Sequence, residues 1–412
     1  MNGIRSAWAG LSLVFLSYLL RLAAGMAVMV FAARQLGPTE FGRFIYWLAW
    51  ATLATVPVNL GLGTYVLREI GLDKHRYAGV MGVALTTKLL LLAVVLLVAC
   101  GVMAQLPAVD VGILGCLVVA QACDGFGEFF NLGFRRDAQY QAEARCAVVT
   151  TCWHLVVMGA AIAWGGLAWH AALGFAVSRA LGTAFTIWRS VAVAGPVWPA
   201  ALRQVPGLLR ATWAYAGELG LNTLLGQVDT LLVNHVLGPA GVGLYQAGMK
   251  LVDGACRLAP VMAQYLLPTL AAHRSDARQF RQTAWRSLGL VMGLGLLASA
   301  VLVTAGDMLA HRLYGERYQA LAALMPLFAL VLALRFLETG LGLLLVAAGL
   351  QGQKVWLVAL QLVVLVGAGY PALRSAGLVG WQVTVAASLA LVLTLYAGLL
   401  RRDAAGQRPL TT

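Results

Sequence analysis

Twelve ionisable residues sit inside stretches otherwise written mainly in Leu, Val, Ala and Gly. Six are basic (Arg21, Lys88, Arg179, Lys250, Arg257, Arg335) and six are acidic (Asp124, Glu128, Glu218, Asp229, Asp253, Glu338). Such groups can do two kinds of chemistry in an apolar setting. Guanidinium and ammonium groups bind anions, and Arg offers a bidentate fork to phosphate oxygens. Carboxylates there can take up a proton or a metal cation.

Their spacing sorts them. Lys250, Asp253 and Arg257 are three and four residues apart and share one helical face, with a surplus of one positive charge. Glu218, Asn222 and Asp229 share a face too, since eleven residues make about three turns. Arg335 and Glu338 are three apart and can neutralise one another, while Lys88, Asp124 and Glu128 fall nearer the ends of their apolar stretches. Each residue taken singly is as readily a structural ion pair as a site residue. Taken together, twelve charges facing lipid would cost far more than pairing recovers, so the set is expected to line a polar cavity. Arg21 and the Lys250/Arg257 stripe lead the candidates for anion binding, with Arg179, Arg335 and Lys88 behind them.

The elements that must position these residues follow from composition. Hydrophobic residues make up 61% of the chain, charged residues 11%, and mean hydropathy is +0.82, whereas a soluble domain is about 25% charged. A bilayer-spanning helix needs about 20 mostly apolar residues. Twelve such runs are present, near 8–35, 41–63, 80–104, 111–134, 147–167 and 171–193, then 213–236, 241–266, 285–305, 321–347, 354–372 and 377–400. The expected fold class is an all-α polytopic membrane protein of about twelve transmembrane helices in two six-helix lobes, 1–205 and 206–403, with a short cytoplasmic tail at 404–412. Six is even, so both lobes start on the same side of the membrane and are parallel repeats.

A repeated heptapeptide supports the duplication. LGPTEFG at 36–42 returns as LGPAGVG at 237–243, an offset of 201 (237 − 36), close to half of 412. In each half it separates the first two spans, where Gly37 and Gly238 can turn and Pro38 and Pro239 interrupt the helix. Pro57 in span 2 and Pro260 in span 8 echo each other with a two-residue shift, which predicts bends at matching depth.

Orientation follows from Lys and Arg. With the N-terminus inside, eighteen basic residues fall in cytoplasmic segments and five, Arg34, Arg43, Arg312, Arg317 and Arg374, in outer ones. Both termini are therefore expected in the cytoplasm. The net charge of +13 is then a topology signal, not a mark of nucleic-acid binding. Arg5 followed by an apolar run and LAAGMA could pass for a cleavable leader, but residues 21–36 align with 222–237, so cleavage near Ala27 would cut a duplicated helix. The six cysteines show no CxxC or Cys/His spacing and the six histidines are scattered, so no metal site is expected.

The stretches AARQLGPTEFGRF, NLGLGTYVLREI and QVDTLLVNHVLGPAGVGLYQAGMKLV resemble the polysaccharide repeat-unit flippases, the O-antigen and exopolysaccharide exporters of the multidrug/oligosaccharidyl-lipid/polysaccharide superfamily. The likeness covers roughly residues 20–75 and 213–270 and names no sugar. It implies a multidrug and toxin extrusion-like fold, with two lobes around a central cationic cavity and access alternating between the two sides of a bacterial inner membrane. It implies a non-enzymatic transporter of oligosaccharide on a polyprenyl diphosphate, with polysaccharide polymerase and chain-length proteins as partners. Arg21, Arg257 and Lys250 would hold the diphosphate. No cofactor is implied beyond a coupling ion, H+ or Na+. The aspartate of QVDTLL, Asp229, is its first candidate, with Glu218 or Asp253 assisting; the equivalent position in the first half is Val28.

Two other classes share some of these features. An ion-coupled drug or cation antiporter of the same superfamily would have the same lobes and acidic sites but less need of basic residues. A polysaccharide polymerase or ligase would carry a long outer loop, and the longest here, 306–320, is short. Lipid II flippases are similar as well, but typically add two C-terminal helices.

Overall fold

The chain is seen in a computed structural model that describes residues 2–136, 139–257 and 277–406. All its regular structure among those residues is helical. The elements are α1 (Asn2–Asn59), α2 (Leu62–Leu72), α3 (Tyr77–Met103), α4 (Ala108–Arg136), α5 (Tyr140–Gly165), α6 (Ala168–Ala194), α7 (Val205–Cys256), α8 (Ala277–Tyr314), α9 (Gln319–Ala322), α10 (Met325–Ala347) and α11 (Gln351–Gly406).

Three of these are pairs of helices joined at a glycine. α1 breaks at Gly37 (φ 75°, ψ 173°), α7 at Gly238 (φ 69°, ψ −174°) and α11 at Gly377 (φ 59°, ψ −141°). Gly37 and Gly238, the matching residues of the repeated heptapeptide, adopt the same region of backbone conformation. That region is open to essentially no residue but glycine. Counting each arm, α1, α3, α4, α5 and α6 give six long helical segments, and α7, α8, α10 and α11 give six more. Both prolines that follow the kink glycines, Pro38 and Pro239, start the second arm, where a missing N–H costs nothing.

Eight stretches among the described residues are long and apolar enough to cross a membrane, two of them, Leu20–Leu72 and Gln351–Arg402, containing a kink glycine. The protein is a multi-pass membrane protein. α7 is not among the eight: Asn222, Gln227, Asp229, Asn234 and His235 lower its hydropathy.

Contacts divide the chain into two compact units, Met1–Gln227 and Val228–Thr412. The division falls inside α7 rather than before it, because the start of α7 packs with the first unit. Leu208 joins the cluster of Leu62, Val66, Ile70, Tyr77 and Met81. That cluster is organised by α2, a short amphipathic helix whose buried residues Leu62, Val66 and Ile70 recur every four positions. Sequence reading absorbed its start into span 2.

Within the first unit, α4 packs on α6, α5 on α6 and α1 on α5. The buried stripe of α6 is mostly small, including Ala171, Ala172, Gly174, Ser178 and Gly182, which lets neighbouring backbones approach closely. In the second unit α10 packs between α8 and α11. The expected bend at Pro57 takes a particular form: α1 continues to Asn59, and the chain turns at Leu60 and Gly61, both at positive φ (39° and 65°). Pro260 lies outside the described residues.

Alanine at Gly37 or Gly238 is expected to cost about 1–3 kcal/mol each. Thermal unfolding of the purified protein in detergent should show a lowered midpoint for either variant and a further drop for the pair.

Candidate functional site

In the first unit the ionisable residues of four helices converge. Asp124 lies near the centre of α4 and accepts a hydrogen bond from Arg179 Nη1 of α6 at 2.7 Å, with the two side chains 37% and 31% exposed. The Arg179 guanidinium also stacks 4.9 Å from the Phe175 ring centroid. Lys88 of α3 is 2% exposed. Its Nζ donates to Asn59 Oδ1 at 2.7 Å and to the Val58 carbonyl at 3.4 Å, and it faces the rings of Phe126 and Phe129 at 5.1 and 5.7 Å. One turn beyond Asp124 stands Glu128, exposed, in the electrostatic field of Arg21, Arg179, Lys88 and Asp124. Arg21 is exposed on α1. Three basic groups thus meet two carboxylates, a surplus of one positive charge.

Lys88, Asp124 and Glu128, expected nearer helix ends, are interior residues of α3 and α4 and belong to this cluster. α4 runs from Ala108 to Arg136, which places both carboxylates more than a turn inside either end.

A second polar group braces the turn after Gly37 in this unit. Asp110, in the first turn of α4, accepts from Arg43 Nε and Trp47 Nε1, both at 2.8 Å. Glu40 Oε2 accepts from the backbone N–H of Ala168 at the start of α6, at 2.8 Å. Carboxylates at two helix N-termini are favourably placed, so this group reads as a clamp on the turn after Gly37. Gly241 and Leu244 stand at the matching positions of the second half.

In the second unit Asp229 is tightly held. Its Oδ2 accepts from the Tyr245 hydroxyl at 2.8 Å, and its Oδ1 from the Thr230 backbone N–H at 2.6 Å and the Thr230 hydroxyl at 3.2 Å. Gln246 Nε2 in turn donates to Thr230 Oγ1 at 2.6 Å. Tyr245 is 1% exposed, between Phe328 and Trp381. Tyr245 was not singled out from the sequence, although a signal existed: at an offset of 201 it stands where the first half has Phe44, just as Asp229 stands at Val28. Where the first half has an apolar pair, the second has a hydrogen-bonded one.

Arg335 does not spend its charge chiefly on Glu338. Its Nη1 donates to Asp253 Oδ1 at 3.1 Å, across from α10 to α7, with the side chains 34% and 36% exposed. Glu338 lies in the field of Arg335 and of Lys354. Lys250 and Arg257 make no ion pair among the described residues; Lys250 is half-buried and Arg257 exposed. The Glu218 side chain lies outside the described residues. No group of three metal-ligating side chains occurs among the described residues.

A cavity of about 580 Å³ opens between α1, α3 and α4, lined by Trp47, Trp50, Pro57, Val95, Val98 and other apolar residues. It offers no cation to an anionic headgroup.

The profile of a family described as polysaccharide biosynthesis protein matches residues 31–323. The chain belongs to this family. It is also similar to the amylovoran biosynthesis protein AmsL of Erwinia amylovora, 26% identical over 120 residues, covering 29% of this chain and 31% of that relative; the match thus spans about a third of AmsL. Two solved structures share the fold over nearly the whole chain. An inward-facing multidrug-resistance transporter of the MATE family superposes with a TM-score of 0.76 at 14% identity, over 95% of this chain and 96% of that one. The lipid II flippase MurJ, in an inward closed conformation, gives 0.70 at 9% identity, over 95% and 89%. This polysaccharide biosynthesis family member therefore shares the helical fold of those two structures.

The Arg335–Asp253 pair should show a coupling of roughly 1 kcal/mol, modest because both groups are about a third exposed. A double-mutant cycle of Arg335→Met and Asp253→Asn, read by thermal unfolding, checks this. Asp253→Asn alone should be the more harmful, since it leaves a cation without its partner.

Proposed function

We propose that the protein carries polyprenyl-diphosphate-linked oligosaccharide repeat units from the cytoplasmic to the outer leaflet of a bacterial inner membrane. It does so without catalysing a covalent step, by alternating exposure of its ionic clusters to the two faces. The cluster of Arg21, Lys88 and Arg179 with Asp124 and Glu128 carries this reading. Its surplus positive charge at mid-helix depth suits a diphosphate, whose oxygens need cationic partners away from bulk water. Membership in a polysaccharide biosynthesis family supports the glycan part, and the fold shared with MATE and MurJ proteins supports the transport part. Within the cluster Arg21 is the exposed cation, and Arg179 is engaged with Asp124. Lys88, capped and buried, sets the local field rather than touching the ligand. Lys250 and Arg257, free of ion pairs among the described residues, are the corresponding candidates in the second unit, and Arg335 is committed to Asp253.

Asp229 is the candidate coupling group. A carboxylate held by two hydroxyls and a backbone N–H in a membrane helix suits exchange with H+ or Na+, and Asp253 stands within its electrostatic field. The same network favours the second reading, an ion-coupled antiporter for cationic drugs, which the MATE-like fold also accommodates. With the N- and C-termini in the cytoplasm, a polymerase and chain-length proteins would meet the exported unit on the outer face.

Removing the protein from its native host should cause a lipid-linked glycan to accumulate on the cytoplasmic side, seen by extraction and mass analysis of polyprenyl-linked sugars. No accumulation together with new sensitivity to cationic dyes would transfer the case to the antiporter. In reconstituted vesicles, Asp229→Asn should retain substrate binding yet lose its response to an imposed H+ or Na+ gradient. An undiminished response would remove Asp229 from the coupling role.

A further inference from the structure

We propose that Glu128 is a built-in competitor for the anionic headgroup, a side chain that occupies the field of the cationic cluster when no ligand is present and keeps ligand binding weak enough for release. The inference rests on the diphosphate reading above and adds to it a residue whose role is to oppose binding.

The first observation is a contrast among carboxylates. In the first unit Glu40 caps Ala168, Glu69 bonds Arg76 at 3.3 Å, Asp73 bonds the His75 N–H at 2.9 Å, Asp110 holds Arg43 and Trp47, Asp124 holds Arg179, and Glu143 holds Arg135 at 2.8 Å. Among the described carboxylates of that unit Glu128 alone makes neither a hydrogen bond nor an ion pair. A carboxylate kept as a cross-brace would be bonded, as the other six are. Glu128 is instead exposed, two turns inside the C-terminal end of α4, between the buried Gly127 and Phe129.

The second observation is what surrounds it. Arg21 reaches its field from α1, Lys88 from α3, Arg179 from α6, and Asp124 and Arg135 from α4 itself. Two of these cations are already engaged: Arg179 with Asp124, and Arg135 with Glu143. Lys88 is sealed beneath Asn59 and two phenyl rings. What remains for a ligand is the exposed Arg21 and the net field of the group. Charges carried by helices in an apolar surrounding act on one another more strongly than in bulk water. An incoming phosphate and the Glu128 carboxylate therefore draw on the same positive potential and repel each other. A carrier needs a site favourable enough to fill and weak enough to empty, and a movable internal anion provides that balance without altering the cations.

The test uses the full-length protein in lipid nanodiscs and inorganic pyrophosphate as the probe, titrated calorimetrically against wild type, Glu128→Gln and Arg21→Gln, each first checked for an unchanged melting profile. Glu128→Gln should bind about tenfold tighter than wild type and Arg21→Gln more weakly. In vesicles Glu128→Gln should show a lower half-saturation together with a lower maximal rate. Equal or weaker binding by Glu128→Gln, with wild type still binding, would overturn the competitor role and leave the diphosphate reading standing. No binding by any variant would overturn both.

Discussion

Hydrocarbon does not solvate ions, and every informative feature of this protein is a response to that fact. A charge in a spanning helix must be paired, hydrated or moved to the interface. The two units answer differently. The first gathers cations from three helices around two carboxylates and leaves a surplus. The second ties two carboxylates down, Asp253 to Arg335 and Asp229 to hydroxyl and amide donors, and among the described residues Lys250 and Arg257 form no ion pair. The same constraint shapes the backbone. Chain reversals between paired helices are made at glycines that keep the interruption to a single residue, so few backbone groups lose their hydrogen bonds.

Much of this was legible in the sequence because it depends on local rules. The LGP repeat predicted a paired interruption, and Gly37 and Gly238 share one conformation. Twelve apolar runs correspond to twelve helical segments, counting the arms of α1, α7 and α11 separately. The candidate charges could be named because a hydrophobic background makes them conspicuous. What sequence could not supply was partnership across helices. Arg335 has Glu338 one turn away on its own helix, yet its hydrogen bond goes to Asp253, 82 positions earlier. Nothing in local spacing separates those outcomes; helix packing decides them. Lys88 similarly looked like one more cation for a ligand, until Asn59 and the rings of Phe126 and Phe129 were seen to enclose it.

Other features fell between the two levels. The start of α2 falls within the apolar run at 41–63 because its first residues continue those of α1, and only the turn at Leu60 and Gly61 separates the two helices. The start of α7 belongs by contact with the first unit, because Leu208 packs on the core formed by α2 and α3. A boundary drawn at the end of the sixth span follows the chain's repeat, whereas the division at Gln227 follows packing, and the two criteria need not coincide in a continuous helix.

The exchange of Val28 and Phe44 for Asp229 and Tyr245 bears on how such proteins diversify. The two halves keep one backbone solution at the kink, while one aligned pair of side chains is oily in the first half and polar in the second. Tyr differs from Phe by a single oxygen, and Asp is close to Val in bulk, so the exchange asks little of the surrounding shape. One backbone thus tolerates two side-chain chemistries at equivalent positions, so an ionic network can be set into such a scaffold without redrawing its helices.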